Sequence, residues 1–184
     1  MQRQLLLALM TSTALAAPLV AQAQVNSSVT VTTTVNEACS VGNPSVTSLD
    51  FLDLTGSDGL VNPGLAAKEV VISTAWCNTP GTLKLSADPL RLENPPLWAT
   101  PQGFARTVTY DANLTGWTEA LFVRPLADDT EVEAAATAAA YAAAQLTLTV
   151  GGLAAVNGAG AESTTAVLEA GAYKGNVTVS VAVD

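Results

Sequence analysis

The groups of this chain that could perform chemistry are carboxylates, because histidine is absent and only two cysteines occur. The 184 residues include 16 Asp and Glu, 7 Lys and Arg, and no His. Without an imidazole there is no Ser-His-Asp triad, no Cys-His pair and no histidine-ligated zinc. Two cysteines cannot build a four-thiolate metal site. The composition therefore favours a protein that is not an enzyme and has no cofactor.

The aspartates offer two weak candidate sites. Asp50, Asp53 and Asp58 lie among glycines, and calcium prefers such oxygen ligands, but their spacing does not match the EF-hand loop and its final Glu is missing. Glycosidases use paired carboxylates, for which Asp128 with Asp129, or Asp50 with Asp53, are the nominal candidates. Adjacent acids in an acidic chain are more often solvated. We expect solvated turns at both places and no metal site.

Other compositional features limit the possible partners. Trp76, Trp98 and Trp117 could stack on a sugar, although indoles in a β-protein more often pack in its core. The formal net charge of −9 leaves no basic footprint for nucleic acid. The apolar fraction of 49% is too high for a disordered acidic tail. A folded domain that does not bind nucleic acid is indicated.

Residues 1–23 have the pattern of a secretory signal peptide. Arg3 precedes an apolar stretch at 5–17, and Ala21 and Ala23 supply the small-x-small cleavage pattern. A membrane anchor is the alternative, but polar residues and a proline interrupt a stretch that is already short for a bilayer. We expect export, cleavage directly after this segment and no membrane span in the mature chain.

The expected export of the chain bears on the state of its two cysteines, Cys39 and Cys77. Thiols in an oxidising compartment usually pair. A bond between them closes a loop of 38 residues, worth roughly 4 kcal/mol in the chain-entropy model. A reactive thiol and an intermolecular bond are the alternatives. We predict an intramolecular Cys39–Cys77 disulfide.

The mature chain is patterned as short β-strands. From Val25 to Cys39, valines alternate with mostly β-branched polar residues, and this period of two indicates a strand. Clusters of Gly, Pro, Asn and Asp separate the other candidates. Many short strands predict an all-β antiparallel sandwich rather than a βαβ fold. The other candidates are Val46–Leu54, Glu69–Cys77, Thr82–Ala87, Ala105–Tyr110, Leu121–Arg124, Gln145–Val150 and Val177–Val183.

One segment departs from this strand pattern. Residues 131–145 contain a run of alanines, the best helix formers, and Thr130 with Glu133 forms a capping-box pattern. The segment predicts a short helix across one end of the sandwich. An alanine-rich strand or a loop is the alternative.

The last residues alternate strictly. Valines occupy every second position of the final predicted strand, namely Val177, Val179, Val181 and Val183. Tyr173 precedes this strand at the place where an immunoglobulin-like sandwich has a tyrosine corner. A half-buried aromatic with no such role is the alternative.

Four motifs follow one another in a specific order. They are Asn36-Glu-Ala-Cys-Ser-Val41, Leu49-Asp-Phe51, Val71-Ile-Ser-Thr-Ala-Trp-Cys77, and Ala170-Gly-Ala-Tyr173 leading into Val177-Thr-Val-Ser-Val181. Together they resemble the spore coat protein U family, whose members are similar to pilins of the archaic chaperone–usher pathway. The family usually has Phe-Gly at Phe51-Leu52 and an acidic or Thr-Asp pair at Lys174-Gly175. The resemblance covers nearly the whole mature chain.

The resemblance implies an immunoglobulin-like sandwich, here residues 34–184, that lacks its last strand. Such a fold leaves a groove and an unpaired edge, which the N-terminal segment of another subunit can fill by β-strand addition. Residues 24–33 are the expected donor, with Val25, Val29 and Val31 in the groove. The valines of the final strand would line the acceptor edge. A self-contained sandwich whose first strand is Val25–Val35 is the alternative.

The function that follows from the resemblance is structural. Head-to-tail contacts that do not close give filaments, so we expect a subunit of a surface pilus that serves adhesion or biofilm formation. Its partners would be identical or related subunits, a periplasmic chaperone and an outer-membrane usher, with passage through the periplasm to the cell surface. A free-standing secreted binding module for a carbohydrate or protein ligand is the alternative.

Overall fold

The computed structural model describes residues 30–126, 132–138 and 142–184, which excludes the predicted signal segment. The chain divides into two units, Met1–Thr34 and Val35–Asp184. In the first unit, the described residues 30–34 are exposed and form no strand. The described part of the second unit has 13 strands and no helix, and therefore no helix that could cross a membrane. The strands are β1 (Cys39–Val41), β2 (Lys68–Cys77), β3 (Gly81–Ala87), β4 (Leu90–Leu92), β5 (Phe104–Ala105), β6 (Thr107–Thr115), β7 (Leu121–Val123), β8 (Val132–Ala138), β9 (Ala142–Val156), β10 (Glu162–Ser163), β11 (Val167–Leu168), β12 (Tyr173–Lys174) and β13 (Val177–Val183).

Two antiparallel sheets make up most of the second unit. The larger has eight strands in the order β1-β2-β9-β6-β4-β12, with β7 beside β6 and β10 beside β9. The smaller has the order β13-β3-β8. A short parallel pair joins β5 to β11. The predicted all-β class with antiparallel sheets is confirmed.

Both of these sheets contribute side chains to one hydrophobic core. Val70 and Ile72 of β2 and Tyr110 of β6 are buried from one side, and Leu83 and Leu85 of β3 from the other. Buried residues recur at every second position because successive side chains of a strand point to opposite faces. The core therefore lies between the two sheets.

The predicted disulfide is present and joins β1 to β2. Cys39 and Cys77 lie directly opposite each other in the antiparallel register. Gly81 packs against the bond: a Cβ there would be 2.6 Å from the Sγ atom of Cys77 and 2.8 Å from that of Cys39. Only glycine fits at the start of β3.

The predicted helix over residues 131–145 is wrong. Val132–Ala138 is strand β8, and β9 begins at Ala142. Ala134 and Ala136 lie opposite Leu85 and Leu83 of β3, and both pack in or against the core. Pairing and burial outweigh the helix propensity of alanine, which is a weak preference that tertiary context overrides.

Two predicted strands are also wrong in the part of the chain that is described. Residues 30–38 form no strand, and pairing begins only at Cys39. Val46–Leu54 forms none either. In this segment the carboxylates of Asp50 and Asp53 accept hydrogen bonds from backbone N–H groups two residues later. Such local bonds compete with a strand ladder.

Leu52→Gly should raise the melting temperature by a few degrees. Leu52 has a φ of 60° and is 87% exposed, so glycine relieves a left-handed backbone while removing little packing. That conformation costs a non-glycine residue about 1–2 kcal/mol, of which the flexibility of unfolded glycine offsets roughly 0.5–1 kcal/mol. Calorimetry on Leu97→Gly is the control, since Leu97 is fully exposed but is not among the residues with positive φ. A gain of the same size in the control would contradict the explanation.

Replacing both cysteines by alanine should lower the free energy of unfolding by about 4 kcal/mol, because the 38-residue loop between them is then open in the unfolded chain. Urea titration of the double variant and of the reduced wild-type protein measures the loss. The two losses should agree, and a loss below about 1 kcal/mol would show that the bond constrains little.

Candidate functional site

Strand β13 is paired along one side only. Its seven residues lie in antiparallel register with β3, and it is the terminal strand of its sheet. Thr178, Ser180 and Ala182 are exposed, whereas Val177, Val179 and Val181 are half-buried and pack against the core. Among the described residues no strand pairs with the other side. The edge therefore combines free backbone groups with a row of apolar side chains.

A groove of about 630 Å³ runs beside the first half of this edge. Its floor is the core itself and consists of side chains from the larger sheet. One wall is formed by residues 41–51 and the other by the start of β13. The floor residues are Val70, Ile72, Tyr110, Leu148 and Val150, and the β13 residues are Val177 and Val179.

The wall at residues 41–51 leaves the sheet early. Pro44 bridges to Ile72, and the backbone N–H of Ser45 donates to Val71. Beyond that point Leu49 and Phe51 pack against the core without joining a strand ladder. The part of this wall after Ser45 is therefore held by the packing of Leu49 and Phe51.

The groove closes towards the end of β13. There β1 lies beside β13, and the register places Val183 opposite Gly81, which packs on the disulfide. β1 pairs with β2 and β13 with β3, and the described residues show no ladder between β1 and β13. A strand that entered here would break no backbone pairing among the described residues.

Tyr110 anchors the open end of the groove. Its hydroxyl lies 2.7 Å from the carbonyl oxygen of Asp88 and 3.2 Å from that of Asn176, so its single proton is held between the end of β3 and the start of β13. Burial, with a further contribution from Asp88, raises the pKa of Tyr110 well above its usual value. Sequence patterns did not single out this residue, because an alternating strand gives no sign of where a buried hydroxyl will bond.

Tyr173 on β12 also directs its hydroxyl at two backbone carbonyl oxygens. Its hydroxyl donates to the carbonyl oxygen of Glu169 at 2.8 Å and also lies 3.2 Å from that of Ala105. A bond to a backbone carbonyl a few residues upstream is the pattern of a tyrosine corner. Burial, and then the negative charge of Glu169, raise the pKa of Tyr173 to about 12. Glu169 itself pairs with Arg106.

A second cavity of about 560 Å³ adjoins the groove. It lies between residues 49–55 and residues 168–173, and the two cavities share Phe51, Leu90 and Tyr173. The apolar space at this end of the unit is therefore larger than the groove beside β13 alone.

The structure does not bring the other candidate groups together. Asp50, Asp53 and Asp58 each accept a hydrogen bond from their own local backbone, and in Asp53 this bond, from Thr55, lowers the pKa. The described residues contain no group of acids or cysteines that could hold a metal. Trp117 packs against the core, whereas Trp98 is 65% exposed, so they do not form one stacking surface. Asp128 and Asp129 lie outside the described residues.

Of the predicted donor valines, only Val31 falls in the described part of the chain. It is 88% exposed and belongs to no strand. Val25 and Val29 lie outside it. Comparison of the chain with protein-family models, with curated proteins and with solved structures gives no match.

The free energy of unfolding should fall as the pH rises above about 10. The folded protein holds the protons of Tyr110 and Tyr173 more tightly than the unfolded chain, whose tyrosines titrate near 10. The contribution of these two protonated tyrosines to the free energy of unfolding is therefore complete below pH 10. It is lost as the pH rises through their pKa values in the folded protein.

Urea titrations between pH 9 and 11 on the wild type, Tyr173→Phe and the Tyr110→Phe/Tyr173→Phe double variant measure this effect. The decline should be shallower in Tyr173→Phe and shallowest in the double variant. Equal slopes in all three proteins would contradict the assignment.

Proposed function

We propose that the protein is a structural subunit of a surface fibre, assembled by donation of a strand from one copy to the next. The observation that carries the proposal is the one-sided β13 beside an apolar groove. On this proposal the fold is an immunoglobulin-like sandwich of the pilin type that lacks its last strand. The hydroxyl bond of Tyr173 to Glu169 and the one-sided pairing of β13 among the described residues support this view.

The occupant of the groove would be residues 24–33 of another copy. This segment has valines at alternate positions and no charged side chain, as an apolar groove floored by Val70, Ile72 and Leu148 requires. If Val25, Val29 and Val31 are buried there, each contributes roughly 1.5–3 kcal/mol. Each ladder hydrogen bond to the free side of β13 adds about 0.5–1.5 kcal/mol.

The same proposal includes export and assembly partners. Residues 1–23 would direct the chain to the periplasm, where a chaperone would cover the groove before an outer-membrane usher adds the subunit to the fibre. The acidic net charge of −9 would keep unassembled copies apart. Adhesion or biofilm formation is the expected role of the fibre.

The assembly test compares, in each strand, a substitution on the face that would enter the groove with one at the next residue, whose side chain lies on the opposite face. Val31→Asp should abolish detergent-resistant multimers, because it places a charge in the groove, whereas Thr32→Asp should retain them, because alternate residues point away. On the acceptor, Val179→Asp should abolish assembly, whereas Ser180→Asp, at an exposed position, should not. Multimers are counted by electrophoresis without boiling after mild warming of the mature protein.

The deletion of residues 24–33 gives the matching control. The shortened protein alone should form no multimers, because it has no donor segment. It keeps its own groove, so when mixed with the wild-type protein it should accept a donor strand and end the growth of the multimer. If the wild-type protein stays a stable monomer, the sandwich completes itself and the proposal fails. A groove of about 630 Å³ is then within the usual range for a small-ligand site, and a secreted binding module becomes the better explanation.

A further inference from the structure

Two cations stand unpaired beside the groove of an otherwise acidic chain. The sequence has 7 Lys and Arg against 16 Asp and Glu. Arg106 pairs with Glu169, and Arg124 pairs with Asp111 and Glu162. Among the residues that the structure describes, Lys68, Arg91 and Lys174 take part in no ion pair, and of these Lys174 lines the groove. Positive charge is scarce in this chain, so the place where two cations without an acidic partner lie together needs an explanation.

The register of β4 and β12 places these two cations side by side. Lys174 lies directly opposite Arg91 in the antiparallel pair. Like charges in this arrangement destabilise a sheet. Glu93, which directly follows β4, makes no ion pair with either cation among the described residues. The pair is therefore suited to receive a negative group from another molecule.

The pair lies at one end of the unpaired edge. Lys174 lines the groove together with Glu93, Gly175 and Val177, three residues before β13 begins its ladder. At the other end, Asp184 follows β13, and its carboxylate accepts a hydrogen bond from the hydroxyl of Thr82. The edge thus runs from two cations to a carboxylate.

We propose that Arg91 and Lys174 receive Glu37 of the donating copy, an inference that rests on the proposed function. The donor segment 24–33 is uncharged, and Glu37 is the first charged residue after it. Glu37 is exposed, and its one hydrogen bond, from the Thr79 hydroxyl, is long at 3.5 Å. It is therefore available to a partner.

The distances along the chain agree with this pairing. In extended chain, the four residues from position 33 to Glu37 span about 13 Å, and the three from Val177 back to Lys174 span about 10 Å. A donor antiparallel to β13 leaves the groove beside Val177 and brings Glu37 to the cations. A parallel donor would bring Glu37 to Asp184, where like charges repel. The charges at the two ends thus select the direction of insertion.

The experiment measures the rate of multimer formation by the full mature protein at low salt. In an Arg91→Gln background, which leaves Lys174 as the one cation of the pair, Lys174→Glu and Glu37→Lys should each slow assembly roughly tenfold, because each replaces an attraction by a repulsion. Combining them restores opposite charges and should bring the rate back to within about twofold of the Arg91→Gln protein. The differences should vanish near 1 M salt, where screening acts over about 3 Å.

Lys68→Glu is the matched control. Lys68 is exposed at the start of β2 and does not line the groove. Its replacement by Glu changes the net charge by the same amount as Lys174→Glu. It should slow assembly less than twofold. Lys174→Gln, which removes the charge without reversing it, provides a milder variant whose rate should fall between those of the wild type and Lys174→Glu. Melting temperatures confirm that each variant is folded.

Three results would overturn the inference. Equal rates for Lys174→Glu and Lys68→Glu would show that only net charge matters. Failure of the double variant to recover would show that Glu37 is not the partner. If the wild-type protein forms no multimers, the proposed function fails and this inference fails with it, whereas normal wild-type assembly with no effect of charge reversal removes this inference alone.

Discussion

The unpaired side of β13 is the constraint on which the rest of this structure depends. A strand with one neighbour satisfies only half of its backbone groups through a ladder, and the other half faces solvent. In β13 the same edge carries half-buried valines above the core. The groove and the two cations adjoin this edge. Both features therefore lie beside the terminal strand of the smaller sheet.

The edge is fixed at both ends although it is paired on one side. At its start, the hydroxyl of Tyr110 lies within reach of the carbonyls of Asp88 and Asn176, and the N–H of Asp88 donates to Asn176 at 2.9 Å. At its end, the N–H of Asp184 donates to Pro80 next to the disulfide-packed Gly81. A strand held in this way would be preorganised for the donor strand proposed above, and preorganisation lowers the entropy cost of binding.

The parts of the fold that sequence predicts are those fixed by local alternation. The valines of β13 follow a period of two, and the β-branched and apolar residues of β2 lie between turn clusters; both strands form where expected. The disulfide was predictable from the expected export and from there being only two thiols in the sequence. The alanine run of β8 and β9 misled because its neighbours in β3 and β2, not its own propensity, decide its conformation.

The candidate site could be predicted only in part, for the same physical reason. The valines at its edge lie at every second position of one strand, but the floor combines Ile72, Tyr110 and Leu148 from three strands that register brings together. The hydrogen bonds of Tyr110 depend on where Asp88 and Asn176 meet, which no local pattern encodes. The segment at Asp50 to Leu52 was misjudged because side-chain bonds to the backbone replace the ladder there.

The missing ladder between β1 and β13 would explain how one chain could be both a folded monomer and an assembly subunit. β1 lies beside β13, but the described residues show no backbone pairing between them, so that side of β13 keeps its backbone groups unpaired in the monomer. A donated strand would add a ladder that the monomer does not have. Because these ladder bonds would form only on assembly, assembly would be favoured, while the barrier to it would be the displacement of β1 from beside β13.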